Sequence, residues 1–403
     1  MPNTDTIFQK MSQKSVAAGI VPFLLFAWSF LSALNLNISG SIAGYSSLCS
    51  LGYRLIQFFL VIKILLDIPG MKVVDFVKVI AIAIIGYLSV NTSGSSFLEA
   101  AFWFLAAAKG INYDKCIKGL LCAQLACLAI TLAFFVAGAV PDSTMLRGGL
   151  VRHSLGYYHP NMLASSLLQI YLMWVYINRW GLKPLHSAVG FFLALLILLV
   201  TGSTTASSLC VVMSIIVGLY THRNDGHPKG IIEIIVSASR YAIPLLCFVS
   251  FYSAFSGVSS LPLIGDLHGR IPQLHAYFSY YQIVPWGQEL ITHTSDEYTW
   301  QLGLYTLDNS YANLLLGLGW VVFICFLWLY FKEIILSLNH NDYITLAILV
   351  LYGIWGFSET TLIRIAFNFT IILFGQIIWN EYGPRGEAAF KESTFFSIYR
   401  RIS

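Results

Sequence analysis

Charge is what this sequence has least of. Only 10% of its 403 residues are Asp, Glu, Lys or Arg, against about 25% in an ordinary soluble domain. Hydrophobic residues make up 57%, so the remaining polar residues could not cover one water-soluble core. Lipid is therefore the expected solvent for most of the chain. The net charge of +4 is too small for a nucleic-acid partner, and the cations are sorted along the chain rather than gathered in a stripe. Cys49, Cys116, Cys122, Cys127, Cys210, Cys247 and Cys325 all fall in hydrophobic stretches. That predicts inert thiols, with neither a disulfide framework nor a zinc site. No Asp-x-Asp pair is present to hold a metal-bound nucleotide sugar, and no polar region is large enough to bind one. The apolar run after the polar first sixteen residues lacks a small-residue cleavage signal, so a retained first helix is expected.

Long apolar runs are what the chain has in quantity. Roughly 20 apolar residues cross a bilayer core, and hydropathy predicts about twelve spans. They cover 17–37, 43–66, 73–91, 95–110, 118–140, 160–178, 186–203, 206–221, 238–257, 311–331, 342–358 and 361–380. The expected class is an all-α polytopic membrane protein, a single integral domain over 1–403. It has an outer loop at 141–159, a large outer loop at 257–310 and a cytoplasmic tail at 381–403.

Lysine and arginine set the orientation. With both termini in the cytoplasm, every lysine falls on or near the cytoplasmic side, joined by Arg179, Arg223, Arg240, Arg385, Arg400 and Arg401. The basic residues left for the outer half are Arg54, Arg147, Arg152, Arg270 and Arg364, all arginines. A guanidinium stays charged and offers a planar fork that matches phosphate oxygens two at a time. Arg54 and Arg364 lie inside apolar helices, where a charge costs about 2.5–3.5 kcal/mol on insertion scales. An ion pair with Glu359, Glu99 or a backbone carbonyl would offset that cost for either residue alone. For the five together, an outward-facing site for a di-anionic group explains more.

Four motifs lie on the same predicted face. Arg152-His153-Ser154-Leu155-Gly156-Tyr157-Tyr158-His159-Pro160-Asn161 runs into the sixth span. Pro160 suits a first helical turn, and His159 and Asn161 then stand at a helix N-terminus, which favours an anion or simply caps the helix. Gly269-Arg270 leads into Tyr277, Phe278, Tyr280, Tyr281 and Trp286. These aromatics read as an interfacial belt or as stacking faces for sugars, on one or two short surface helices. Asp308-Asn309-Ser310-Tyr311 opens the tenth span, where Asp308 and Asn309 are also ordinary cap residues. Ser358-Glu359 links the last two spans, with Arg364 shortly beyond.

At these residues the sequence resembles bacterial polysaccharide polymerases of the Wzy type, which are grouped with the O-antigen ligases. The resemblance is carried by 152–161, Gly269-Arg270, Asp308-Asn309-x-Tyr311 and Ser358-Glu359; the first 140 residues match only in hydropathy. It implies a GT-C-like glycosyltransferase in the bacterial plasma membrane with its active site facing outside. The substrates it implies are undecaprenyl-diphosphate-linked oligosaccharide repeat units, polymerised into surface polysaccharide. Membrane lipid, a chain-length regulator and a flippase are the implied partners.

Asp308 stands where related ligases place a histidine, which favours polymerase over ligase and leaves the base open among Asp308, His159 and Glu359, with Asp308 ranked first. Arg152 and Arg270 are the expected diphosphate clamp, with Arg147, Arg54 and Arg364 in support, and Asn161, Asn309 and Tyr311 as supporting residues. No cofactor and no metal is expected, since guanidiniums can stabilise a leaving diphosphate and one base suffices for the acceptor hydroxyl. An O-antigen ligase, a lipid-linked oligosaccharide flippase or another transporter are the alternatives. Against a transporter stand the lack of an internal repeat and the crowding of polar groups on one face.

The orientation is directly testable. Single cysteines at positions 142, 266 and 296 should react with a membrane-impermeant maleimide from outside intact cells, and those at 115, 225 and 395 only after permeabilisation.

Overall fold

A computed structural model describes residues 4–38, 44–147, 149–221, 238–262, 265–266, 269–291, 304 and 307–381, with side chains from Gly19 onward except those of Ile38 and Arg147. The expected tail beyond Glu381 and the Arg147 side chain therefore lie outside the described residues. Most of the described chain is helical, with 14 α-helices, and seven are long and apolar enough to cross a membrane.

The first five helices are α1 (Thr4–Ile38), α2 (Tyr45–Asp67), α3 (Val73–Ser93), α4 (Ser96–Ala106) and α5 (Tyr113–Val136). Local chemistry sets their starts. Ser95 Oγ accepts the Leu98 N–H at 3.3 Å ahead of α4, and Asn112 Oδ1 accepts the Lys115 N–H at 2.9 Å ahead of α5. Each cap satisfies a donor that the helix itself leaves orphaned. A two-stranded hairpin follows, β1 (Met145–Arg147) and β2 (Leu150–Arg152), with Met145 opposite Arg152. This is a departure from the all-α expectation: a polar loop with a positive-φ glycine, Gly149, at its turn closes two short extended runs on each other.

Then come α6 (Pro160–Ile177), α7 (Pro184–Thr201), α8 (Thr204–Thr221) and α9 (Ala242–Ser256), and α10 (Arg270–Tyr280) within the large loop. The C-terminal part holds α11 (Ser310–Ala312), α12 (Trp320–Asn339), α13 (Tyr343–Ser358) and α14 (Thr370–Trp379). The seven long apolar helices are α1, α2, α3, α5, α7, α8 and α12; α4, α13 and α14 are apolar but shorter. α13 is the hub. It touches α6, α8, α9 and α12 and is buried on nearly every side, Tyr352 and Trp355 included, as a helix that is apolar all round should be.

Two predicted spans are corrected. The tenth, expected at 311–331, is instead a three-residue helical turn, a π-wound segment at Asn313–Gly317 and then the separate helix α12. The twelfth, expected at 361–380, is helical only from Thr370. Residues 361–369, buried apart from the half-buried Arg364, are neither helix nor strand, so side chains join turn hydrogen bonds in satisfying their peptide groups. The Ala366 carbonyl accepts from Gln124 Nε2 at 3.0 Å and Gln169 Nε2 at 2.7 Å, and Asn368 Nδ2 donates to the Leu362 carbonyl at 2.8 Å.

The loop aromatics do not form a simple belt. Tyr277 is buried and donates to the Ile291 carbonyl at 2.6 Å, Tyr281 Oη accepts the Ile291 N–H at 2.8 Å, and Phe278 packs edge-on against Phe251 and Phe255. They fold the loop onto itself.

The break before α12 is where that loop docks. The Gln288 N–H donates to the Gly317 carbonyl at 3.0 Å, and the Trp320 N–H donates to the Val284 carbonyl at 3.1 Å. Backbones this close leave no room for Cβ atoms: one on Gly319 (φ +90) would lie 2.3 Å from the Pro285 oxygen, and one on Gly287 (φ +84) 2.1 Å from the Gly317 oxygen. Gly319→Ala should therefore lower the melting temperature of the detergent-solubilised protein and speed hydrogen exchange at Gln288 and Trp320. Strain and overlap cost roughly 1–3 kcal/mol each. Gly181→Ala, with open space around it, should change neither.

Candidate active site

Five segments far apart in sequence meet at one mouth: the end of β2, the start of α6, the first residue of α10, the residue before the Asn309 cap of α11, and the residue after α13. The side chains form one polar chain. Arg152 donates to Asn161 Oδ1. Asn161 Nδ2 donates to Glu359 Oε1 at 3.4 Å, and Arg270 Nη2 donates to the same oxygen at 3.3 Å. Arg270 also reaches Asp308 Oδ2 through Nη2 at 3.1 Å and Nε at 3.3 Å. A single guanidinium thus bridges two carboxylates.

Each member is held by its own local structure. Arg152 is buried, and its Nε donates to the Thr201 carbonyl at the end of α7. It passes over Gly202, where a Cβ would lie 2.9 Å from Arg152 Cγ. The turn after β2 is pinned by Asp142, whose carboxylate meets His153 Nδ1 at 2.6 Å and accepts the Ser154 and Leu155 N–H groups at 2.8 and 3.0 Å. Glu359 is held from behind, where Ser310 Oγ donates to its carbonyl at 2.6 Å.

The electrostatics separate the candidate bases. Burial, together with the neighbouring Asp308 charge, pushes the Glu359 carboxyl up to about 7, against the pull of Arg270, Arg364 and Arg152. Burial also raises Asp308, opposed mainly by Arg270. Two carboxylates sharing one guanidinium resist ionising together. His159 is the N-cap of α6, and its Nδ1 accepts the Asn161 N–H at 3.0 Å. Burial and then the Arg152 charge lower its pKa, so the ring is neutral at pH 7 with its acceptor nitrogen already used. Three guanidiniums, Arg152, Arg270 and Arg364, thus stand among three carboxylates, Asp308, Glu359 and, behind the turn after β2, Asp142.

The remaining expected residues divide. Arg364 lies beside the chain, stacked 4.4 Å above the Phe97 ring and donating to Thr360 Oγ1 at 3.4 Å, and its charge acts on both carboxylates. Asn309 and Tyr311 are structural. Asn309 is buried, caps α11 by accepting the Ala312 N–H at 2.9 Å, and donates to the Ser250 hydroxyl and the Phe357 carbonyl. The buried Tyr311 hydroxyl donates to the Gly353 carbonyl at 2.8 Å. Arg54 is exposed on α2 and takes no part in the hydrogen bonds described above. The side chain of Arg147 lies outside the described residues.

Sequence reasoning missed Phe97, Thr201, Gly202 and Asp142 as parts of the site. Thr201-Gly202-Ser203 carries only a turn signal, and a phenylalanine in an apolar run carries none. No family model and no curated protein matches the chain. Among the described residues, no group of three or more His, Cys, Asp and Glu side chains is placed to hold a metal ion.

The raised Glu359 pKa has a sign. A carboxyl whose folded pKa exceeds its ordinary 4.5 holds a proton that the unfolded chain has released. Its stabilising contribution is whole below about 4.5 and is lost as pH rises through about 7. Thermal melts of the detergent-solubilised protein should show less fall between pH 5 and 8 in Glu359→Gln than in the wild type. Superimposable profiles would mean that Glu359 ionises normally.

Proposed function

We propose that this protein is a multi-pass glycosyltransferase that polymerises undecaprenyl-diphosphate-linked oligosaccharide repeat units at the outer leaflet of a bacterial plasma membrane. The carrying observation is the convergence of Arg152, Asn161, Arg270, Asp308 and Glu359 into one hydrogen-bonded cluster. These residues span more than 200 positions, and they are the ones on which the resemblance to Wzy-type polymerases rests.

Twelve crossings, the seven long helices with α4, α6, α9, α13 and α14, in a GT-C-like arrangement with cytoplasmic termini would put this cluster outside. The ends of the helices support that threading. α6 carries Asn161 at one end, and Arg179 follows its other end about 27 Å away at 1.5 Å per residue. There Arg179 pairs with Asp114 at 3.1 Å and Asp342 at 3.4 Å. The ion pairs Lys63–Asp67 at 2.6 Å and Lys109–Asp75 at 2.5 Å fall at the end that the lysine bias assigns to the cytoplasm.

In the reaction, the diphosphate of the donor lipid lies against Arg152, Arg270 and Arg364. The acceptor hydroxyl attacks the anomeric carbon, the bond from that carbon to the diphosphate oxygen breaks, and the new glycosidic bond forms. The guanidiniums stabilise the charge gathering on the leaving diphosphate. Glu359 takes the hydroxyl proton, a role first assigned to Asp308. A carboxyl raised to about 7 suits a general base at neutral pH, and Arg270 gives two N–H groups to Asp308 Oδ2 but only one, at 3.3 Å, to Glu359 Oε1. Asp308 positions that arginine.

Glu359→Gln should lose about 10²-fold or more in chain extension by purified protein supplied with lipid-linked repeat units, while still binding them. Arg270→Lys should lose most activity, because a point charge cannot replace the fork. Normal extension by both variants at matched protein levels would refute the assignment. In a deletion strain, exported but unextended single units are the expected phenotype. Finished polymer left on the carrier would mean a ligase, and units retained inside would mean a flippase.

A further inference from the structure

The amide of Asn161 has one orientation that its neighbours allow. Arg152 donates to one of its two polar atoms, and a guanidinium has no acceptor, so that atom is Oδ1. Nδ2 then faces Glu359 and donates to Oε1 at 3.4 Å. The Asn161 backbone N–H is taken up separately by His159 Nδ1 at 3.0 Å, so capping α6 does not use the Asn161 side chain. Arg152 is itself anchored, since its Nε donates to the Thr201 carbonyl where α7 ends. A directional chain of donors thus runs from the end of α7 through Arg152 and Asn161 to one oxygen of Glu359.

The two oxygens of that carboxyl are not equivalent. Oε1 accepts from Asn161 Nδ2 at 3.4 Å and from Arg270 Nη2 at 3.3 Å. Among the described residues no donor reaches Oε2, and that atom is not sealed from solvent. A proton on Oε1 would point at two N–H groups, whereas a proton on Oε2 leaves both hydrogen bonds intact. We infer that Asn161 is a positioning residue that keeps Glu359 Oε1 as an acceptor and leaves Oε2 to carry the exchangeable proton. The use of Oε2 rests on the proposed function; the place of the proton does not. In that reaction the acceptor hydroxyl gives its proton to Oε2. Its oxygen bonds to the anomeric carbon as the bond from that carbon to the diphosphate oxygen breaks. The charged groups facing Glu359 are Asp308, Arg270, Arg364 and Arg152, and substitution of Asn161 removes none of them.

The test reads Glu359 directly, by infrared pH-difference spectra of the full-length protein in nanodiscs. The protonated carboxyl band is assigned by its absence in Glu359→Gln. In Asn161→Ala the C=O of that carboxyl, which is Oε1, loses one of its two donors, so its stretch should move to higher frequency. Asn161→Asp keeps an oxygen for Arg152, and a carboxylate suits the first turn of α6. It replaces the donor to Glu359 by a like charge, so the midpoint of the Glu359 band should rise by about 1 pH unit or more. A side chain that only tethered Arg152 would leave that midpoint in place. A stretch unmoved in Asn161→Ala, or a midpoint unmoved in Asn161→Asp, overturns the inference; the alanine variant decides if the aspartate variant does not fold. Neither spectrum requires turnover, so the two claims fail separately. A protein that shows both shifts but never extends lipid-linked units loses only the proposed function, whereas one that extends them and shows neither shift loses only the role of Asn161.

Discussion

Buried peptide groups must find partners, and residues 359–369 carry a largely buried stretch of chain with no helix or sheet to supply them. Gln124 of α5 and Gln169 of α6 converge on the single carbonyl of Ala366. Asn368 folds back on Leu362, and Ser310 Oγ accepts the Leu362 N–H at 3.3 Å while donating to the Glu359 carbonyl. An unpaired buried amide costs several kcal/mol in an apolar surround, so these contacts determine the path of this segment. Irregular backbone at such depth is tolerated where protein encloses it or a cavity adjoins it. Glu359 and Arg364 lie on this segment, and their positions depend on glutamines from two helices that take no part in the cluster.

The second constraint is the charge balance at the mouth. Ion pairs removed from water recover their desolvation cost only when geometry and added hydrogen bonds are good. Arg270 meets this by bridging Asp308 and Glu359, with Asn161 on the shared oxygen. Burial and the adjacent Asp308 also make Glu359 the group whose proton is exchanged near neutral pH. One arrangement thus offsets the desolvation of Arg270 and raises the Glu359 carboxyl.

The two ends of the helices use cations differently. At one, Lys63, Lys109 and Arg179 are each paired with carboxylates, and the Glu381 carboxylate accepts the Gly110 N–H at 2.7 and 2.9 Å. These contacts tie helix ends together and neutralise themselves. At the other, Arg270 is shared between two acids, Asp308 and Glu359. The glycine-to-glycine docking of residues 284–288 on 317–320 holds the large loop against that end, and with it the relation of Arg270 to Asp308.

Residue composition alone determined that the chain is helical and apolar enough for several membrane crossings, because the free energy of burying about 20 residues in lipid depends on their sum and little on their neighbours. It also determined which residues carry unusual chemistry: arginines in apolar surroundings are costly wherever they fall, and Arg152, Arg270 and Arg364 do meet at one mouth. Only the tertiary structure decided what each residue does there. Asn309 and Tyr311 read like site residues, yet their polar atoms are consumed by backbone groups and the Ser250 hydroxyl, and His159 spends its acceptor nitrogen on a helix cap. Arg54 looked equivalent to Arg364 but lies exposed on α2. The different settings of Glu359 and Asp308 depend on burial and on a guanidinium contributed from the large loop, 38 positions before Asp308 and 89 before Glu359. The β-hairpin, the π-wound break before α12 and the unwound start of the last span escaped hydropathy for the same reason. They are set by hydrogen-bond partners distant in sequence, which no local window contains.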